Sequence, residues 1–278
     1  MLFSSVSTSS HSSRTASLAV AAAIAAAVGM LGFAASSQAN TMGDVSLQFS
    51  GYSGADISNS ATTAGAVPLS FWNYQTDGTQ DAQGSFTSVA TSNGGTANAN
   101  NILLNSTGAS SGVTYSYAYT RVSGSMGSSF TSGSGDQLLA QEAAGVQGSG
   151  NAVLTISGLT GSYDIYAYVG QMYFGSNGAT EEVGLGSTNY YLLSSNTLSS
   201  WTQSTATSSA TAVTSNYVEF TGLSGATQTL TVYANGNSYG LGGIQIVSAA
   251  VPEPATLGLM GALGTGLLLL KRRHSVKA

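Results

Sequence analysis

Short runs rich in Val, Ile, Thr and Tyr, separated by clusters of Gly, Asn and Ser, fill the chain from Asn40 to Ser248. That rhythm predicts strands joined by turns, and therefore an all-β domain. A period of two places neighbouring side chains on opposite faces of a strand. Tyr115, Tyr117 and Tyr119 form one such row, and the segment from Ser162 to Val169 sets Tyr163, Ile165, Ala167 and Val169 against Asp164, Tyr166 and Tyr168. The first set reads as a core face and the second as a wetter face of amphipathic rings, with Asp164 in water. A closing strand is expected over Gly242 to Val247, and one short helix over Leu138 to Val146, with Asp136 as its cap and Gly145 as its stop. The segment Ile156-Ser157-Gly158-Leu159-Thr160-Gly161 is echoed by Phe220-Thr221-Gly222-Leu223-Ser224-Gly225. Glycines at these places suit turns closed to other residues while the leucine packs inward, so two equivalent hairpins in one sandwich are expected.

Two longer apolar stretches interrupt the pattern, one near each end. A polar segment ending in Arg14 leads into an apolar run from Ala16 to Ala35, followed by Ser37-Gln38-Ala39 with small residues where signal peptidase reads them. Residues 1–39 are therefore expected to be a signal peptide taken by the Sec machinery and cleaved after Ala39. Residues 250–278 are expected to be a separate tail. Pro252-Glu253-Pro254 breaks the preceding strand, and Ala255 to Leu270 carries no charge. Sixteen residues of helix reach about 24 Å, a marginal single transmembrane span. Lys271, Arg272 and Arg273 follow it and should stay cytoplasmic, which leaves residues 40–249 on the far side of the membrane.

The order Val-Pro-Glu-Pro, short Gly/Leu-rich span and Lys-Arg-Arg cluster resembles the PEP-CTERM sorting signal. That resemblance implies an exosortase as partner, Pro252, Glu253 and Pro254 as its recognition element, and the basic cluster as the retention end. It further implies a Gram-negative bacterium that exports exopolysaccharide, with the chain held at the inner membrane until processed and then delivered to the cell surface or extracellular matrix. The exported part is similar to domains often attached to such tails, through Phe71-Trp72-Asn73, the Ile-Ser-Gly-Leu and Tyr-Asp-Ile-Tyr block, and the closing Gly-Gly-Ile-Gln-Ile-Val. This likeness implies a β-sandwich of jelly-roll or galactose-binding-like kind.

Charge narrows the choice of partner. Between Asn40 and Ala250 stand ten acids and a single basic residue, Arg121, so nucleic acid should be repelled. The chain has no cysteine, and its two histidines, His11 and His274, fall in the terminal segments. Ser-His-Asp, Cys-His and His/Cys zinc chemistry therefore cannot be assembled in the exported domain, and no cofactor or metal is expected. Asp77-Gly78-Thr79-Gln80-Asp81 offers two carboxylates in a turn but does not match a full calcium loop. Glycoside hydrolysis needs only two carboxyl groups, for which Asp136, Glu142, Glu181 and Glu182 are formal candidates, the last two pointing to opposite sides of a strand. The expected function is a non-enzymatic, structural surface or matrix protein. The alternative is a carbohydrate-binding or carbohydrate-active module using Trp72, Tyr74 and Trp201, because a sugar ring offers an apolar face and a polar rim. The many Ser and Thr hydroxyls also suit glycosylation.

Overall fold

The computed structural model describes residues 42–49, 56–74, 84–86, 90–91, 102–119, 121–124, 129–147, 150–171, 178–233, 235 and 238–249. The expected signal peptide with Ala39, the expected tail with Pro252, Glu253, Pro254, Lys271, Arg272 and Arg273, and residues 77–81 lie outside them. Residues Asn40–Ala250 form one unit. Among the described residues no helix is long and apolar enough to cross a membrane.

The strands are β1 (Val45–Gln48), β2 (Asn73–Tyr74), β3 (Gly84–Phe86), β4 (Ala90–Thr91), β5 (Ile102–Leu104), β6 (Ser110–Tyr119), β7 (Arg121–Gly124), β8 (Glu142–Gln147), β9 (Asn151–Ser157), β10 (Tyr163–Gln171), β11 (Thr180–Leu185), β12 (Thr188–Leu193), β13 (Gln203–Ser204), β14 (Val213–Thr214), β15 (Tyr217–Leu223), β16 (Thr227–Tyr233) and β17 (Ser238–Ser248). They form two sheets. The first runs β13-β15-β10-β17-β1-β2-β4, with β8 also paired to β17 and β7 to β8; the second runs β14-β12-β11-β16-β9-β6-β3, with β5 beside β6.

One core lies between the sheets. Tyr115, Tyr117, Leu154, Ile156, Val183, Leu230 and Val232 from the second sheet meet Val45, Leu47, Ile165, Ala167, Val218, Phe220, Ile244 and Ile246 from the first. The alternation read from the sequence thus becomes buried and outward faces on β6, where Tyr115, Tyr117 and Tyr119 are buried and Ser116 and Ala118 exposed. On β17 the period slips. Tyr239 and Leu241 share the core face with Ile244 and Ile246 because the pairing with β10 shifts register between Tyr168↔Gly243 and Val169↔Leu241, leaving Gly242 as an extra residue. There β17 also changes its other neighbour, from β8 (through Leu241) to β1 (from Gly243).

The repeated Gly-Leu-x-Gly segments are not hairpins. Each carries the chain between sheets, β9 to β10 in the first copy and β15 to β16 in the second. Because β9 pairs with β16 and β10 with β15, the two corners lie side by side, and Leu159 N–H donates to Ala226 O at 3.2 Å. Tyr163 Oη donates to Gly225 O at 2.7 Å and accepts from Gln228 Nε2 at 2.9 Å, closing one corner onto the other. Sequence alone carries the turn chemistry of such a segment, but not which sheet receives the next strand.

The expected helix is also displaced. Helix α1 spans Gly135–Gln141, is capped by the Ser134 side chain accepting from Gln137 N at 3.1 Å, and carries Asp136 in its first turn rather than at its cap. Residues Glu142 to Val146 are strand, since Ala144 and Val146 fill the core while the backbone pairs with β7 and β17. Packing outweighs the helix preference of two alanines.

Candidate functional site

Side chains that point away from the shared core on the first sheet gather a second cluster. Tyr168 from β10 packs with Ile57, Ala64, Trp72 and Leu139, with Tyr166, Tyr217 and Trp201 half-buried against them. The segment 56–74 and helix α1 cover this face. They are held by polar groups at the sheet surface, as burying polar atoms requires. Gln245, fully buried, donates to Val67 O at 2.8 Å and accepts from the Tyr168 hydroxyl, which itself accepts from Ala66 N at 2.7 Å. Gln48 donates to Leu138 O at 2.9 Å and accepts from Ile57 N at 2.9 Å. Asn73 makes three bonds, to Ser46 O and to both backbone groups of Leu104, each at 2.8 Å.

From this cover runs a line of rings, of which Trp201, Tyr217 and Tyr166 are partly exposed and Phe130 and Tyr168 buried. Phe130 lies against Trp201 at a centroid distance of 4.7 Å, Trp201 against Tyr168 at 4.6 Å, Tyr168 against Tyr217 at 6.0 Å, and Tyr217 against Tyr166 at 6.2 Å, all tilted. These separations fall in the range of favourable aromatic pairs. Asp136 fixes one end, its Oδ1 accepting from Trp201 Nε1 at 2.7 Å and from Gly65 N at 2.8 Å. Glu219 fixes the other: it accepts from the Tyr166 hydroxyl and from Gln203 Nε2 at 3.0 Å. Burial, and then Glu219, raise the Tyr166 hydroxyl above the ordinary tyrosine range, and the same two causes act on Tyr217. Tyr166 thus stays a neutral donor to Glu219. Asp164 accepts from Gly222 N at 2.7 Å, partly exposed on the same outward face.

The structure separates the three expected sugar contacts. Trp201 lies in the aromatic line, half-buried. Trp72 is corrected: it has no exposed surface, its indole N–H donates to Leu69 O at 2.9 Å, and it packs beneath Tyr168 at 6.4 Å. A large ring in a half-buried sheet cover is more stable inside than on the surface. Tyr74 is half-buried on β2, three strands from β10, and its hydroxyl is raised by burial and by Asp56. Sequence reasoning missed Tyr217, Glu219 and Phe130. The first two sit in the alternation Tyr217-Val218-Glu219-Phe220, which has the same pattern as the β10 row.

The formal glycosidase carboxylates are dispersed. Glu181 and Glu142 are buried, Glu181 beside Val183 on the core side of β11. Glu182 is on the outer face of the second sheet, and Asp136 on α1 over the first. What the aromatic line can do is bind: ring faces match the apolar face of a sugar, and fixed carboxylates with free lone pairs accept its hydroxyls.

No protein family matches the chain, and no curated protein matches it. Among solved structures it is similar to a ruminal GH26 endo-beta-1,4-mannanase at 11% identity, over 38% of this chain and 19% of that chain. The TM-score of 0.22 is too low to bear on fold or function.

Proposed function

We propose that this protein is a non-enzymatic component of the cell surface or extracellular matrix that holds polysaccharide on the aromatic line of its first sheet. It is exported by its signal peptide and sorted by an exosortase through Pro252-Glu253-Pro254, and the two-sheet domain, of jelly-roll or galactose-binding-like kind, is the displayed part. The observation that carries the binding role is the set of half-buried rings Trp201, Tyr217 and Tyr166, joined through the buried Tyr168 and ended by a hydrogen-bonded Glu219. Rings locked by neighbours lose little entropy on binding.

Replacing Tyr166 and Tyr217 together by alanine should weaken retention on a neutral polysaccharide about tenfold, or ~1.4 kcal/mol. Trp72→Ala should instead lower stability, because Trp72 is core. Affinity electrophoresis beside urea unfolding separates the two effects, and unchanged retention in the double variant removes the binding role. Mass spectrometry of the surface-displayed form should find a C-terminus that lacks residues 271–278; an intact end there removes the sorting role.

A further inference from the structure

We propose that the outer face of the second sheet carries a second polysaccharide site, centred on Glu182 between Tyr191 and Tyr233, so that one chain bridges two polysaccharide strands. Three strands build it. Glu182 on β11 stands opposite Tyr191 on β12 and opposite Tyr233 on β16, which places one carboxylate between two half-exposed rings on a single face. Its neighbour Val183 points into the core.

The carboxylate is held rather than loose. Asn189 Nδ2 donates to Glu182 Oε1 at 2.9 Å, Asn235 Nδ2 to Oε2 at 3.3 Å, and the Tyr191 hydroxyl bonds both Glu182 and Asn189. With three bonds accepted, about one of the carboxylate's four lone-pair sites remains for a ligand hydroxyl. Gly184 makes this packing possible. A Cβ there would lie 2.4 Å from Asn189 Oδ1 and 3.1 Å from Tyr233 Cε2, so both side chains fold down over a bare stretch of backbone. Two half-exposed rings thus flank a carboxylate held by three hydrogen bonds.

The surface continues from this group through Thr231, Val153 and Ala118, and beyond that row it carries hydroxyls. Thr229, Thr155 and Ser116 lie in register across β16, β9 and β6, and Thr227, Ser157 and Thr114 form the next row. From Tyr233 to Thr227 the track is about 20 Å long at the usual strand rise, enough for several sugar units. With one basic residue among Asn40 to Ala250, the face favours a neutral, hydroxyl-rich chain over a uronate polymer. The ligand class rests on the reading of the first sheet's aromatic line, while the site itself rests on separate residues. The two faces lie on opposite sides of one core, so occupying both joins two polymer strands.

The test uses the full chain in detergent, with a neutral β-glucan, a neutral galactomannan and alginate as probes in affinity electrophoresis and viscometry. Retardation is expected with a neutral polymer and not with alginate. Tyr191→Ala/Tyr233→Ala and Tyr166→Ala/Tyr217→Ala should each weaken retardation about tenfold, each should abolish the rise in viscosity, and only the quadruple variant should lose retardation. Tyr191→Phe keeps the ring and loses only the hydroxyl bonds, and should weaken binding about threefold without loss of fold. If Tyr166→Ala/Tyr217→Ala alone removes all binding, the second site is overturned and the first stands. If Tyr191→Ala/Tyr233→Ala alone removes it, the second site stands and the first falls. No retardation of the parent chain by either neutral polymer overturns both.

Discussion

Gly145→Ala should lower the unfolding free energy by about 4 kcal/mol or more, a large part of the roughly 5–15 kcal/mol that a domain typically has. Gly145 on β8 pairs with Gly240 on β17, and a Cβ built on it would lie 1.9 Å from Tyr239 O and 2.3 Å from Gly240 Cα. Those are backbone atoms in the middle of a sheet, which cannot turn aside as the end of a side chain can. Relief would require parting β8 from β17 next to the Gly242 bulge, where β17 is already changing partners. Overpacking usually costs about 1–3 kcal/mol, and backbone as the obstacle places this case above that range. Gly112→Ala supplies the contrast: Gly112 has φ +75° but nothing within 4 Å of a Cβ, so only the left-handed penalty of about 1–2 kcal/mol applies. Urea unfolding of both variants checks the argument, and equal losses would show that close approach is not what Gly145 provides.

The second large effect belongs to Glu181. Its side chain is 1% exposed on the core side of β11, and Oε1 has no hydrogen-bond partner among the described residues. Burial disfavours the charged form and raises its pKa well above the ordinary 4.5. The folded state therefore keeps a proton that the unfolded chain releases near the ordinary value. Stability from this group is fully present below that value and falls as pH rises toward the folded pKa, with a slope of up to about 1.4 kcal/mol per pH unit. Glu181→Gln removes the titration at nearly constant volume. Against the parent chain it should be close to neutral at pH 4 and increasingly stabilising at pH 6 and 8, as read by urea unfolding at each pH. Parallel pH profiles for the two chains would mean that Glu181 is charged, and so solvated or paired, in the folded state.

Which residues face inward was largely legible, and β10 shows why. A strand buried on one side must alternate, so Tyr163, Ile165 and Ala167 had to share a face opposite Tyr166 and Tyr168, whatever the partners turned out to be. The acids show the opposite case. The sequence places Glu181 and Glu182 on opposite sides of a strand without saying which side is enclosed; Glu181 is enclosed, and Glu182 is bonded by two asparagines at the surface. Their environments come from strands as distant in sequence as β16, which no local pattern reveals.

The aromatic residues follow the same division. The outward rings of β10 could be counted from the sequence, but their cover came from residues 56–74 and α1, which took Trp72 inside and left Trp201 at the rim. What the sequence by itself determined was the all-β class, the alternating faces and the exclusion of histidine and cysteine chemistry, because these depend on composition and on neighbours one or two residues apart. Only the tertiary structure decided that the two Gly-Leu-x-Gly segments cross between sheets, that Glu142 to Val146 is strand, and which rings remain in reach of a ligand. Those outcomes are set by backbone pairing and core packing between segments tens of residues apart, where long-range burial outweighs local preference.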